Sequence, residues 1–195
     1  MSSEASLVAA GTAMWTLVQR HTGRVGYKGG AKADKLQSTQ PVIDCSGWAA
    51  LLLEAGMQAA NAATGEETFD SHDLAAIHTW SDRMIEVLEA RSGVILDGDR
   101  IERDTLPRYA TIGLQQGGGA WATNHPRPRG ITHVVQIVRD PRSDAAFVSE
   151  AQGWAEPRGL RLTPLGDWLH LTRHYLKAGT AWAVDAFAPL KTSTS

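Results

Sequence analysis

The chain's single cysteine, Cys45, stands where an extended segment, Gln40–Ile43, meets the stretch Asp44-Cys45-Ser46-Gly47 that opens a helix. A thiol placed there meets the positive end of the helix dipole and backbone amides that lack a helical acceptor, and both favour the nucleophilic thiolate. The same amides can stabilise the oxyanion of a tetrahedral intermediate. A lone cysteine is more often a small buried hydrophobe, so catalysis requires a base. His133 offers one at the start of the alternating run Thr132–Val138, from which an imidazole that titrates near neutrality can look across a sheet edge towards Cys45. The next segment, Ala145–Glu150, leads into the polar side chains Ser149, Glu150 and Gln152, any of which can orient the second ring nitrogen. Nucleophile, base and orienter thus follow one another in the order that Cys-His chemistry uses.

Three pieces of sequence together resemble the NlpC-type family of papain-like bacterial cysteine peptidases. They are Gly26-Tyr27-Lys28-Gly29-Gly30, Ile43-Asp44-Cys45-Ser46-Gly47-Trp48 and His133-Val134-Val135, and with the strand that follows they span residues 26 to 153, roughly two-thirds of the chain. The resemblance implies Cys45 as nucleophile, His133 as general base and Glu150 as third residue, preceding the small Ala151, with Gln152 in reserve. It implies that Tyr27 lines the site near the oxyanion and that Asp44 and Ser46 shape the pocket for a substrate amine. It further implies hydrolysis of an amide bond in the peptidoglycan stem peptide, commonly between D-glutamate and a diamino acid, with no metal or organic cofactor. Two departures stand out. The family's Gly-Asp-Leu strand is replaced by Tyr109-Ala110-Thr111-Ile112-Gly113-Leu114 and a glycine-rich loop, and insertions around 57–105 and 115–130 are expected to reshape the substrate groove.

The elements that must position these residues can be read from periodicity. Leu7, Ala10, Met14, Leu17 and Val18 predict an amphipathic helix over 4–21 with Gly23 as its stop. Gly23–Pro41 reads as a surface loop. A helix from Cys45 buries Trp48, Leu51, Leu52 and Ala55, capped by Asp44 and ended by Gly56. Residues 57–70 read as a loop and 71–91 as another helix. Short strands follow at Val94–Leu96, Tyr109–Leu114, Thr132–Val138, Ala145–Glu150 and Leu160–Leu162, then a helix at 164–177, a strand at Ala181–Phe187 and a frayed polar tail, Lys191–Ser195. Helices first and strands after predict an α+β, papain-like fold, N-terminal helices packed on a mainly antiparallel sheet, as one domain over 1–195. Gly117–Gly119 and Pro126-Arg127-Pro128-Arg129 bracket Trp121 in a long loop of the kind that carries function.

Composition narrows the alternatives. A chain of 195 residues with 43% hydrophobic and 21% charged residues can bury a core without staples. A net charge of -2 and no Lys/Arg block argue against a grip on nucleic acid. One cysteine excludes an intrachain disulfide and every multi-cysteine zinc site. His170 and His174 lie four apart, but no acidic residue adjoins His170, so they read as surface or capping groups; His72, His78, His21 and His125 receive no role. Of seven tryptophans, most are expected in the core, Trp48 beneath the nucleophile helix, whereas Trp121 and Trp154, in glycine-flanked segments, are candidates for substrate contact. No stretch approaches the roughly 20 apolar residues of a spanning helix. Met1–Leu17 lacks the basic start and apolar block of a Sec signal, which for a wall hydrolase points to lysis, a dedicated secretion machine or a removed leader. A wall hydrolase without such a signal fits a secreted antibacterial effector, whose producer needs a cognate inhibitor, or a phage lysis or tail enzyme. Two rival readings are an intracellular amidase, deamidase or acyltransferase with the same Cys-His pair, and a non-catalytic wall-binding or assembly module.

Overall fold

The computed structural model describes residues 3–118 and 120–192. Gly119 of the expected glycine loop and Ser193–Ser195 of the expected tail lie outside the described residues. The first helix, α1 (Ser3–His21), buries Leu7, Ala10, Met14 and Val18, one stripe at helical spacing, and closes with Arg20 and His21 against its negative end. A two-residue strand, β1 (Gly26–Tyr27), then pairs in parallel with β2 (Val42–Ile43), and a 3-10 turn at Ala33–Gln37 lies between them. The segment expected as plain loop therefore begins with a strand, because Gly26 and Tyr27 find backbone partners in the residues that lead into Cys45.

The second helix, α2 (Cys45–Thr64), is longer than the sequence predicted. Its stop is Gly65, in the left-handed conformation (φ 74°), and its amide bonds to Asn61 O. Gly56, expected as the terminator, is interior and buried: a Cβ there would come within 2.7 Å of Phe187 Cζ and 3.3 Å of Met14 Cγ. That glycine leaves room for the C-terminal segment to close over α1 and α2; the Ala-rich stretch after it continues the helix. Residues 71–91 form two helices rather than one, α3 (Ser71–Ala76) and α4 (Ser81–Ser92). The first is started by a reciprocal box between Asp70 and Asp73, and the chain turns at Ile77–Thr79 before Trp80 begins the second.

The strands β3 (Ile95–Asp97), β4 (Ala110–Leu114), β5 (His133–Arg139), β6 (Ala146–Gln152), β7 (Gly159–Pro164) and β8 (Ala181–Asp185) form one antiparallel sheet in the order β3-β8-β4-β5-β6-β7. The last strand is inserted between β3 and β4. Helix α5 (Leu165–Lys177) connects β7 to β8, and a helical turn, α6 (Pro189–Thr192), ends the described chain; there Lys191 Nζ bonds Asp185 Oδ2 at 2.7 Å, so the expected tail is in part anchored. Period-2 alternation divides the sheet between two cores. Val134, Val138, Ala151, Leu160 and Val184 face α1, α2 and α4 together with Trp48, Leu52, Leu53 and Phe187. Ile112, Leu114, Val135, Ile137, Val148 and Ala183 face α5 through Leu165, Trp168 and Leu176. The architecture is α+β with an antiparallel sheet, as expected, and α5 adds a helical layer on the second face. Among the described residues no helix is long and apolar enough to cross a membrane.

A branched side chain at position 56 has no room beside Phe187 and Met14. Gly56→Val is therefore expected to lower stability by about 1–3 kcal/mol, read as a lower urea midpoint with an unchanged slope.

Candidate active site

Asp44 builds the head of α2. Its side chain accepts from the Gly47 amide at 2.6 Å and from the Gly30 amide at 3.0 Å, and its own amide donates to Ala31 O at 2.9 Å. Gly47 is needed at its place, since a Cβ would lie 2.9 Å from Ala31 O and 3.1 Å from Asp44 Oδ1. With the Gly47 amide taken by that carboxylate and the Trp48 amide by Asp44 O, the amides of Cys45 and Ser46 are those that no helical carbonyl can reach. Cys45 sits on them, buried to 8% exposure, with its thiol 4.0 Å from Thr132 O. Trp48 lies wholly buried one turn below, and its Nε1 donates to Ser149 Oγ at 2.9 Å.

His133 comes from the opposite side of the chain's topology, as the first residue of β5, 2% exposed. Its Nε2 lies 2.7 Å from Glu150 Oε2, and Cys45 stands near enough to act on the ring's charge. With Nε2 engaged by the carboxylate, Nδ1 is the ring nitrogen left for the sulfur. Burial alone would lower the imidazole's pKa; the hydrogen bonds to Cys45 and Glu150, and the negative charge of those partners, outweigh it and raise the value to about 9. Strand parity explains why Glu150 is the partner. The register places Ser149 opposite Gln136 and Val148 opposite Ile137, so Ser149 shares a face with Gln136, whereas Glu150 shares the face of Val148, Ile137 and His133. Gln152 is on that face too, 3% exposed, and its Nε2 has no hydrogen-bond partner among the described residues.

Tyr27 is brought in by the small parallel pair. The Val25 carbonyl before it accepts from Leu160 N at 3.0 Å, an approach that Gly159 (φ 137°) permits because a Cβ would lie 2.2 Å from that oxygen. The ring then rests against Gly153, whose Cβ position is 2.4 Å from Tyr27 Cδ1. Burial first, then the charges of Cys45 and Asp44, push the phenol up to about 12, which keeps it a hydroxyl donor throughout the physiological range.

A cavity of about 320 Å³ opens beside His133, lined by Tyr27, Gln116, Trp121, Thr132, Trp154 and Tyr175 among others. Trp154 stands edge-on to His133 with ring centres 4.6 Å apart, and Trp154 and Trp121 are 56% and 50% exposed. The loop that carries Trp121 is braced rather than loose. Asp82 Oδ2 accepts from Ile131 N at 2.8 Å and from Arg129 N at 3.2 Å, and Arg127 binds Ile131 O, Ala122 O and Ser81 while lying 5.6 Å over the Trp121 ring. The Pro-Arg-Pro-Arg run therefore spends its charge on fixing the loop that delivers His133.

The sequence-predicted residues Cys45, His133, Glu150 and Tyr27 come together, and Trp121 and Trp154 wall the adjoining cavity. Asp44 and Ser46 lie at the helix head, where both are bound by Lys32: its Nζ is 3.0 Å from each Asp44 oxygen and 2.6 Å from Ser46 Oγ. Lys32 carries no motif that marks it in the sequence, nor does Tyr175, in the last turns of a helix 130 positions from Cys45 (175 minus 45). His170 and His174 are exposed on α5. Asp70, His72 and Asp73 place one ligand atom each within 4.8 Å of the others, but the two carboxylates already close the α3 cap and Asp73 pairs with Arg91.

Comparison with protein-family models, with curated proteins and with solved structures gives no match to this chain.

The folded state holds the His133 proton more tightly than the unfolded chain, where histidine titrates near 6.5. That contribution to stability is complete below about pH 6.5 and is lost as pH rises through about 9. Urea titrations are expected to show wild type losing more stability across this window than Glu150→Gln, and imidazole nitrogen NMR should show the His133 midpoint moving down in the variant.

Proposed function

We propose that the chain is a cysteine hydrolase of papain-like, NlpC-type architecture that cleaves an amide bond in peptidoglycan stem peptides through an acyl-enzyme on Cys45. The observation that carries this reading is the relay Cys45–His133–Glu150, in which a buried imidazole is held by a buried carboxylate at 2.7 Å and faces the sulfur at a helix head. A cysteine kept merely as a core hydrophobe needs no such arrangement.

The reaction divides into two steps. The Cys45 sulfur attacks the scissile carbonyl carbon and an S–C bond forms. The oxyanion is met by the Cys45 amide and the Tyr27 hydroxyl, donors that are fixed before the substrate arrives. The His133 proton passes to the leaving nitrogen as the C–N bond breaks, and an amine departs. Water then gives a proton to His133 and its oxygen to the acyl carbon, the S–C bond breaks, and a carboxylic acid leaves with the thiolate-imidazolium pair restored. Glu150 fixes the ring and favours its charged form. Trp121 and Trp154 supply exposed indole faces along the cavity, surfaces suited to the stem peptide and to the sugar that bears it. The scissile link in this proposal is the D-glutamyl-diamino acid bond. A secreted effector or phage-type lysis enzyme is the matching context.

Mass spectrometry of muropeptides after digestion of purified walls tests the proposal. Wild type should release soluble peptides, and Cys45→Ala should lower the rate by at least about 10⁴-fold. Release by wild type and by Cys45→Ala at the same rate overturns the reading, and cleavage of glutamine amides or transfer to an amine acceptor would instead favour the amidase or acyltransferase rival.

The acid in the first step is the His133 imidazolium, so kcat/KM is expected to fall on the alkaline side with a midpoint near the His133 value of about 9. In Glu150→Gln that limb should move to lower pH and kcat should drop by about 10²-fold. An iodoacetamide rate at Cys45 equal to that of a model thiol and insensitive to His133→Ala would point to the non-catalytic rival.

A further inference from the structure

Two separate loops bring an indole to the cavity beside His133, and an arginine fixes each of them. Arg127 holds the Trp121 loop: its Nε donates to Ala122 O at 3.0 Å, its Nη1 donates to Ile131 O at 2.7 Å, and its guanidinium lies 5.6 Å over the indole, backing one ring face. Arg161 holds the turn after Trp154, where its Nη2 donates to Glu156 O at 2.6 Å and reaches Ala155 O and Pro157 O at 3.3 Å. Gly118 serves the first loop, since a Cβ there would lie 2.4 Å from Ala122 Cβ and 3.6 Å from Trp121 Cζ2. Yet neither indole belongs to either core, and both stay half exposed. Packing does not require two large apolar faces fixed in water at the rim of one cavity.

The remaining lining groups restrict what those faces can meet. Among the described residues the cavity is lined by no Asp, Glu, Lys or Arg, and His133 is the one group there that titrates near neutrality. Its other polar groups are neutral. The Thr132 hydroxyl is committed, donating to Gly117 O at 2.8 Å and accepting from the Gln116 backbone amide at 3.2 Å. The Gln116 side-chain amide and the Tyr175 hydroxyl have no hydrogen-bond partner among the described residues. A peptide carboxylate or ammonium would leave water here without an ionic partner other than the imidazolium, which is costly. A pyranose ring suits the lining better: it is uncharged, its C–H face presents weakly positive hydrogens to the negative face of an indole, and its hydroxyls can pair with a neutral amide and a phenol.

We propose that this cavity is a saccharide subsite, in which a neutral pyranose lies against Trp121 and Trp154 and bonds to Gln116 and Tyr175. The inference deepens the hydrolase reading and rests on it for one consequence, that the favoured substrate is a peptide still joined to its glycan. Binding of the sugar itself involves neither Cys45 nor Glu150.

Calorimetric titration of the intact protein with tetra-N-acetylchitotetraose, a neutral sugar, and with tetragalacturonate, an anionic one, tests the assignment. Wild type should bind the neutral sugar and favour it over the anionic one. Trp121→Ala and Trp154→Ala should each weaken binding by about ten-fold, whereas Val94→Ala, at an exposed apolar position outside the lining, should leave it unchanged. On muropeptides, wild type should favour the glycan-linked form over the sugar-free stem in kcat/KM, and either tryptophan variant should lose that preference. Absence of binding, tighter binding of tetragalacturonate, or tryptophan variants that bind as wild type does overturns the subsite. So does displacement of the sugar by sugar-free stem peptide below the sugar's own Kd, which would mark a peptide pocket instead. If circular dichroism shows that a tryptophan variant does not fold, the wild-type preference between the two sugars and the competition by stem peptide decide. Walls digested by a protein that binds no sugar leave the hydrolase reading standing and remove the subsite; sugar bound with the expected variant pattern by a protein that releases no peptide does the reverse.

Discussion

The contact between His133 Nε2 and Glu150 Oε2, 2.7 Å long with both side chains under a tenth exposed, is the one on which the buried charge of this site depends. A buried imidazole without a partner would lose its proton to desolvation, and a buried carboxylate without one would resist ionisation. Each makes the other tenable. Together they keep a proton close to the sulfur at a pH where a free histidine has given its proton up. Breaking such a pair from one side leaves an uncompensated buried group, typically at a cost of about 3–5 kcal/mol, so stability and the proposed reactivity draw on the same bond.

That bond is held by two packing layers that meet at the sheet. The face towards α2 fixes the helix that begins at Cys45 through Trp48, whose indole is seated on Ser149 of β6, and the opposite face carries Glu150 of the same strand to His133. Adjacent residues of one strand thus hold the helix that begins at Cys45 and the His133 ring from the two sides of the sheet. Slipping β6 by one residue would exchange Ser149 and Glu150 between faces and dissolve both arrangements at once. The loop before β5 contributes the remaining constraint, since Asp82 and Arg127 tie its backbone to the head of α4 and so set where β5 begins.

The head of α2 shows how one carboxylate can carry several tasks. Asp44 caps the helix, closes the glycine loop through Gly30 and anchors Lys32. Its ability to do so depends on Gly47, where a side chain would press on a backbone carbonyl. The bonding of Asp44 is therefore a product of residues within about fifteen positions of it, while His133 and Glu150 come from about ninety and a hundred positions away.

Local rules made much of this legible in the sequence. The cap at Asp44, the helix that follows it, the alternating strand that begins at His133 and the polar end of β6 are each set by neighbours in the chain, so Cys45 and His133 could be singled out from residue types and spacing, with Ser149, Glu150 and Gln152 left open as the orienter. Gly56 misled because a glycine after a helical run reads as a stop, and its real function, room for Phe187, depends on a segment 131 residues later (187 minus 56). The same holds for the break at Ile77–Thr79, for β8 between β3 and β4, and for the choice of Glu150 over Ser149, which follows from a cross-strand register. Lys32 was invisible for a related reason: nothing in a glycine-rich loop says which acceptor an ammonium will find. The sequence by itself determined which groups could react and which elements would carry them, because propensity, capping and alternation act over a few residues. Only the tertiary structure decided which groups meet and which charges are already satisfied, because distance, burial and register are properties of packed surfaces far apart in the chain.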